Sequence, residues 1–201
     1  MDEIFELIDE RDPCVLGLSG PPGCGKSTLA RRIAHERAGT AVLSMDDFYL
    51  GRQARAERGL AWRGPPASYE IDALLRAIAA LREGRVPITV PRFSGAIDDR
   101  VERVTISDAP KLVIVEGWYL GYMGDGFSAL RRAIDLLVFL EIDIAVAKER
   151  RFAREAELRA RGGGFSERDM QRFWDEVLGP GIECWTNPAK READVVLRAD
   201  G

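Results

Sequence analysis

Gly20-Pro-Pro-Gly-Cys-Gly-Lys-Ser27, followed by Thr28, is the stretch on which the fold turns. It reads glycine, four residues, glycine, lysine, serine, which is the P-loop pattern. Before it runs the short apolar segment Cys14-Val-Leu-Gly-Leu-Ser19, and after it a helical stretch through about Arg37. Strand, glycine-rich loop and helix in that order build a phosphate cradle. Glycines let backbone N–H groups converge on phosphate oxygens, and the helix N-terminus adds its partial positive charge. The residues expected to hold a nucleotide are therefore Gly20, Pro21, Pro22, Gly23, Cys24, Gly25, Lys26, Ser27 and Thr28. Lys26 is placed to reach the β- and γ-phosphates and Ser27 to offer its hydroxyl to magnesium. Thr28 supports the loop or the α-phosphate, and Cys24 serves as a small side chain. A chance match to the pattern is on the order of 1% or less from average composition, which sets aside the plainer reading of a glycine-rich turn capping a helix.

Outward from the loop, four more short apolar runs follow: Thr40-Ala-Val-Leu-Ser44, Lys111-Leu-Val-Ile-Val-Glu116, Asp135-Leu-Leu-Val-Phe-Leu-Glu141 and Ala193-Asp-Val-Val-Leu197. They are continuous rather than alternating, as strands covered on both faces are. Helix-length segments separate them, and one, Ser68–Glu83, carries Ile71, Leu74, Leu75, Ile78 and Leu81 before Gly84 stops it. Strands alternating with helices imply right-handed crossovers and an α/β fold. The expectation is a parallel five-stranded sheet flanked by helices, Rossmann-like, in one P-loop domain over residues 1–201. Residues 86–108 read as an insertion of short strands and loops, and 147–165 as a small lid bearing arginines.

Composition narrows the function. The 201 residues are 46% hydrophobic and 31% charged, with a net charge of −4. An acidic balance argues against a general nucleic-acid binder, which needs surplus Lys and Arg. No apolar run reaches the roughly 18 residues of a membrane span, and the start lacks the basic character of a signal peptide. Three scattered cysteines, Cys14, Cys24 and Cys184, make no disulfide framework or zinc site, and His35 is the only histidine. A cytoplasmic protein, monomer or homodimer, without nucleic-acid or membrane partners, is expected.

In open α/β sheets, ligands bind beyond the carboxyl ends of the strands. Asp46, Asp47, Phe48 and Tyr49 follow the second strand, and a carboxylate there can accept the proton of an attacking hydroxyl. Either acid could instead cap a turn. Glu116 ends the third strand, where a second acidic group would face magnesium and its water shell. Trp118 beside it would line an acceptor pocket or pack in the core.

These segments together resemble the uridine kinase, phosphoribulokinase and glycerate kinase group. Ser44-Met-Asp-Asp-Phe-Tyr49 looks like the Asp-x-Phe-Tyr segment of uridine kinases and the Asp-Asp-Phe-Tyr of glycerate kinases. The resemblance makes Asp46 the catalytic base. Pro66-Ala-Ser-Tyr-Glu70 resembles the start of their next helix, and Val90-Pro-Arg-Phe93 ending at Arg100 resembles their Pro-x-Tyr-Asp to Arg segment. Val115-Glu-Gly-Trp118 is similar to the glycerate kinase strand end, and Pro188–Leu197 to the uridine kinase tail. Arg150-Arg-Phe-Ala-Arg154 resembles the lid helix whose arginines close over the transferred phosphate, which implies catalytic roles for Arg151 and Arg154, although a charged helix is also an ordinary solvated face.

The resemblance thus implies an ATP- and Mg2+-dependent kinase acting on a hydroxyl of a small molecule, with Asp47, Phe48, Tyr49, Glu70, Arg92, Arg100 and Trp118 toward the acceptor. Ser94, Asp98 and Glu70 depart from the uridine kinase pattern, and Arg92 and Arg100 would suit a carboxylate or phosphate. A sugar, polyol or hydroxy acid such as glycerate is the expected acceptor, with uridine or cytidine as the alternative. A nucleotide-dependent switch without acceptor is the reading of a different class.

Overall fold

The computed structural model describes residues 2–124 and 126–199. Among the described residues seven strands form: β1 (Val15–Ser19), β2 (Thr40–Ser44), β3 (Ile88–Ser94), β4 (Asp99–Ile106), β5 (Leu112–Glu116), β6 (Leu136–Glu141) and β7 (Val195–Arg198). Five of them make one parallel sheet in the order β2-β5-β1-β6-β7, and β3 pairs β4 in a separate antiparallel hairpin. Each apolar run of the sequence has become a strand of the parallel sheet, and the insertion has become the hairpin.

Strands buried on both faces supply two cores by alternation. Leu16, Leu18, Ile114 and Val138 point to one side, where α1 (Asp2–Arg11) brings Ile4 and Ile8 and α2 (Lys26–Glu36) brings Ala30 and Ile33. Val15, Val113, Val115 and Leu137 point to the other, against α4 (Ile71–Arg82) through Leu74, Ile78 and Leu81 and α5 (Phe127–Arg132) through Phe127 and Leu130. Between β2 and α4 lie a 3-10 turn over Met45–Phe48 and the short helix α3 (Arg52–Glu57). The expected helix over Ser68–Glu83 begins later, at Ile71. Ser68 instead closes a turn with Pro65, and Leu50 N–H donates to the Ser68 carbonyl at 2.8 Å while Glu70 N–H donates to Phe48 at 2.9 Å. That two-residue antiparallel bridge sets Tyr49 beside Tyr69.

Most of the segment expected as a lid, residues 147–165, lies in α6 (Ile144–Ala160), whose cap Asp143 accepts the Ala145 N–H at 2.7 Å. After a glycine turn comes a helical run from α7 (Glu167–Phe173) to Lys190, with two wider π-type turns, Trp174–Leu178 and Ile182–Thr186. Pro180 and Pro188 lie in this run. A proline has no N–H for the ladder, and π turns are how a helix absorbs such a defect. Among the described residues no helix is long and apolar enough to cross a membrane.

Candidate active site

The P-loop joins β1 to α2. Gly25 takes a left-handed backbone (φ 95°) immediately before α2, which opens with no side-chain cap, so the first-turn N–H groups face outward as an anion site requires. Gly23 has φ +92°, and a Cβ there would stand 2.6 Å from the Ala147 carbonyl of α6. Gly23→Ala therefore combines left-handed strain with a backbone clash, and we expect ADP affinity to drop roughly tenfold or more, measured by titration calorimetry. Lys26 is buried, and its ammonium donates to the carbonyls of Gly20 and Pro21, each at 2.8 Å, with Cys24 Sγ at 3.6 Å. Its charge is thus held over the loop, while Ser27 and Thr28 are exposed at the start of the helix.

The strand order puts β5 between β1 and β2, and the register aligns Glu116 with Leu18 on one side and Ser44 on the other. Glu116 accepts from Ser44 Oγ at 2.5 Å, and the Ser27 hydroxyl favours its charged form. Burial pushes its carboxyl up and the Asp46 charge adds to that, whereas Lys26 and the two serines pull it back. The loop, Ser27, Glu116 and Asp46 therefore share one electrostatic neighbourhood. Among the described residues no cluster of three or more His, Cys, Asp or Glu could cage a metal. Magnesium is typically held by one or two protein groups together with substrate phosphates. Ser27 and Glu116 are the groups that would hold it.

Asp46 and Asp47, equivalent in sequence, are separated by the 3-10 turn. Asp46 is exposed and meets the Tyr69 hydroxyl at 3.4 Å. Asp47 is buried, accepting from Arg92 Nη1 at 2.7 Å and from the Phe93 N–H at 3.0 Å. Burial raises its carboxyl despite these bonds. Asp47 therefore pins the hairpin to the sheet edge. Glu70 is ion-paired with Arg100, whose Nε also donates to the Tyr49 carbonyl at 2.8 Å. Arg92 and Arg100 thus already carry carboxylate partners of this chain. Phe48, expected toward the acceptor, is 1% exposed and packs in the core beside Met45 and Leu43. A turn that exposes Asp46 must bury the aromatic two residues on.

Trp118 is buried and donates its indole N–H to the Tyr69 hydroxyl at 2.8 Å, and the Tyr49 and Tyr69 hydroxyls bond each other closely. Burial, chiefly, drives both phenols well above their usual value, so they stay neutral and able to donate. Tyr69 was not among the expected site residues. Its signal was its place next to Glu70. Beyond it opens a cavity of about 800 Å3, lined by Arg58, Pro66, Tyr69, Glu70, Arg76 and Trp185. The departing position Asp98 is ion-paired to both Arg55 and Arg63 at the hairpin tip. On α6, Arg151 is partly buried and paired to Glu155, whereas Arg154 is exposed. The two arginines are therefore not equivalent.

A sequence model described as the Phosphoribulokinase / Uridine kinase family matches residues 15–199. A pantothenate kinase of Nocardioides sp. is 29% identical over 94% of this chain and 67% of its own length. A uridine kinase of Latilactobacillus sakei is 26% identical over 96% of this chain and 88% of its own. Among solved structures, a D-glycerate 3-kinase from Cryptococcus neoformans superposes with a TM-score of 0.70 at 19% identity, covering 93% of this chain and 86% of that one. This last likeness speaks for the fold.

Proposed function

Because the chain belongs to the Phosphoribulokinase / Uridine kinase family, we propose that it is an ATP-dependent kinase that phosphorylates a hydroxyl of a small metabolite of the sugar, polyol or hydroxy acid class. The observation that carries the reading is the exposed Asp46 carboxylate, set beside buried Glu116 at the mouth of the P-loop. Bound MgATP supplies the activated phosphoryl group and a cation to offset its charge. The chain's own residues do the rest. Main-chain N–H groups of the loop and the Lys26 ammonium grip the triphosphate end, and Ser27 with Glu116 holds the metal side. Asp46 orients the acceptor hydroxyl and takes its proton. Tyr69, fed by the Trp118 N–H, steadies that carboxylate. Arg151, one turn beyond the residue of α6 that touches the loop, faces the transferred phosphoryl and neutralises it.

The cavity beyond Tyr69 is the place assigned to the acceptor's remaining atoms. Asp98, one of the positions that depart from the uridine kinase pattern, is consumed by Arg55 and Arg63 and offers nothing to a pyrimidine. This favours a sugar, polyol or hydroxy acid, the last being the class to which pantothenate belongs. ADP release from MgATP, followed with a panel of polyols, sugars, hydroxy acids including glycerate and pantothenate, and nucleosides, tests the reading. Release that rises with one of the first three classes is expected. Equal release in water alone would identify an acceptor-free NTPase, and release with uridine or cytidine only would move the acceptor to the nucleosides.

A further inference from the structure

Ala147, Arg151 and Glu155 lie four residues apart on α6 and so share one face of it. Ala147 is buried, and its carbonyl abuts Gly23 of the P-loop. Arg151 therefore stands one turn, and Glu155 two turns, along the face that leaves the phosphate cradle. Arg151 Nη1 donates to Glu155 Oε2 at 2.5 Å, and the Glu155 side chain is 0% exposed. No other hydrogen bond of Arg151 is formed among the described residues, so the rest of its guanidinium fork stays open. A guanidinium carries five donors, enough to serve a carboxylate behind it and phosphate oxygens in front.

The other Glu155 oxygen, Oε1, accepts the Phe165 N–H at 2.5 Å. Gly164 fits against that same oxygen: a Cβ on it would lie 2.5 Å away, and its φ is +80°. The Gly164 N–H in turn donates to the Ala96 carbonyl at the tip of the β3–β4 hairpin, at 2.8 Å. Phe165 packs 4.8 Å from the Arg63 guanidinium, which is itself ion-paired to Asp98 of the same tip. A buried carboxylate costs stability unless it is fully paired. Here it joins the lid arginine to the loop that clasps the hairpin. Burial works against its charged form, but the Phe165 N–H and Arg151 outweigh it and hold the carboxyl below its usual value.

We propose that Glu155 is a positioning residue: it aims Arg151 at the γ-phosphate and couples that arginine, through residues 163–165, to the hairpin tip on the acceptor side. The inference rests on the role given to Arg151 under Proposed function. Glu155→Gln keeps the shape and the acceptor for Phe165 but turns an amide donor toward the guanidinium. The full chain with magnesium is titrated calorimetrically with ADP and with the non-hydrolysable analogue AMP-PNP, which alone carries a γ-phosphoryl group. Glu155→Gln should weaken AMP-PNP roughly tenfold, the loss of one charge-assisted interaction, and leave ADP unchanged. Arg151→Ala should do the same, and the double variant should lose no more than Arg151→Ala alone.

Gly164→Ala, which pushes a methyl against the carboxylate without deleting it, gives a second route should Glu155→Gln fail to fold. It should show the same selective loss. An unchanged AMP-PNP to ADP ratio in a folded variant, or losses that multiply in the double variant, overturns the proposal. If the wild-type chain binds both nucleotides but the variants lack these effects, the kinase reading stands without this proposal, whereas a wild-type chain that binds neither nucleotide sinks both.

Discussion

Replacing Asp46 by Asn should cut kcat by about 100- to 10,000-fold, the range that a positioned general base contributes, while ADP and AMP-PNP affinities stay at wild-type values. Asparagine preserves the size of the side chain and its contact with Tyr69, and removes only the basic carboxylate. Asp46 is exposed and anchors no ion pair among the described residues, so the fold has no stake in its charge. Asp47 cannot take over, since its two oxygens are committed to Arg92 and the Phe93 N–H. Turnover measured with whichever acceptor the panel identifies, alongside nucleotide titration and a melting curve, decides the matter. Wild-type kcat in Asp46→Asn would reject the base.

The second large effect belongs to Lys26. Lys26→Ala should lower kcat by roughly 100- to 1,000-fold, the scale of deleting a preorganised charge that meets the reacting group, and should weaken AMP-PNP more than ADP. Its ammonium also braces the loop by donating to Gly20 and Pro21, so part of the loss will fall on ADP as well. Arginine should not rescue it, because a planar fork cannot replace a compact ammonium between two carbonyls. Undiminished AMP-PNP binding in Lys26→Ala would contradict the placement of the phosphates on this loop.

Much of this architecture can be read from the chain itself, for a physical reason. A buried parallel strand has to be apolar throughout, so Leu112–Val115 and Leu136–Leu140 announce themselves, and the loop pattern at 20–27 fixes which strand is first. Local constraints of that kind survive in sequence. Pairings across the fold do not: Arg92 with Asp47 and Arg100 with Glu70 join residues 45 and 30 positions apart. Nothing in their neighbours shows that these cations are already spoken for. The same holds for Phe48, since whether an aromatic after two acids lines a pocket or fills the core depends on the turn that precedes it. Helix α1 and the run from Glu167 to Lys190 went unmarked. The latter breaks the 3.6-residue rhythm with two prolines and wider turns, so its apolar positions fall out of phase with any single helical template.

The placement of β5 between β1 and β2 reaches beyond this one chain. On the proposed function it would sort the molecule into a donor side, built from the loop, Lys26, Ser27 and Glu116, and a recipient side, built from the turn after β2, the bridge at Tyr69 and the hairpin. The seam runs between Glu116 and Asp46. On that division, a change of acceptor would fall on the hairpin and its buttressing ion pairs and leave the energy-coupling half as it stands.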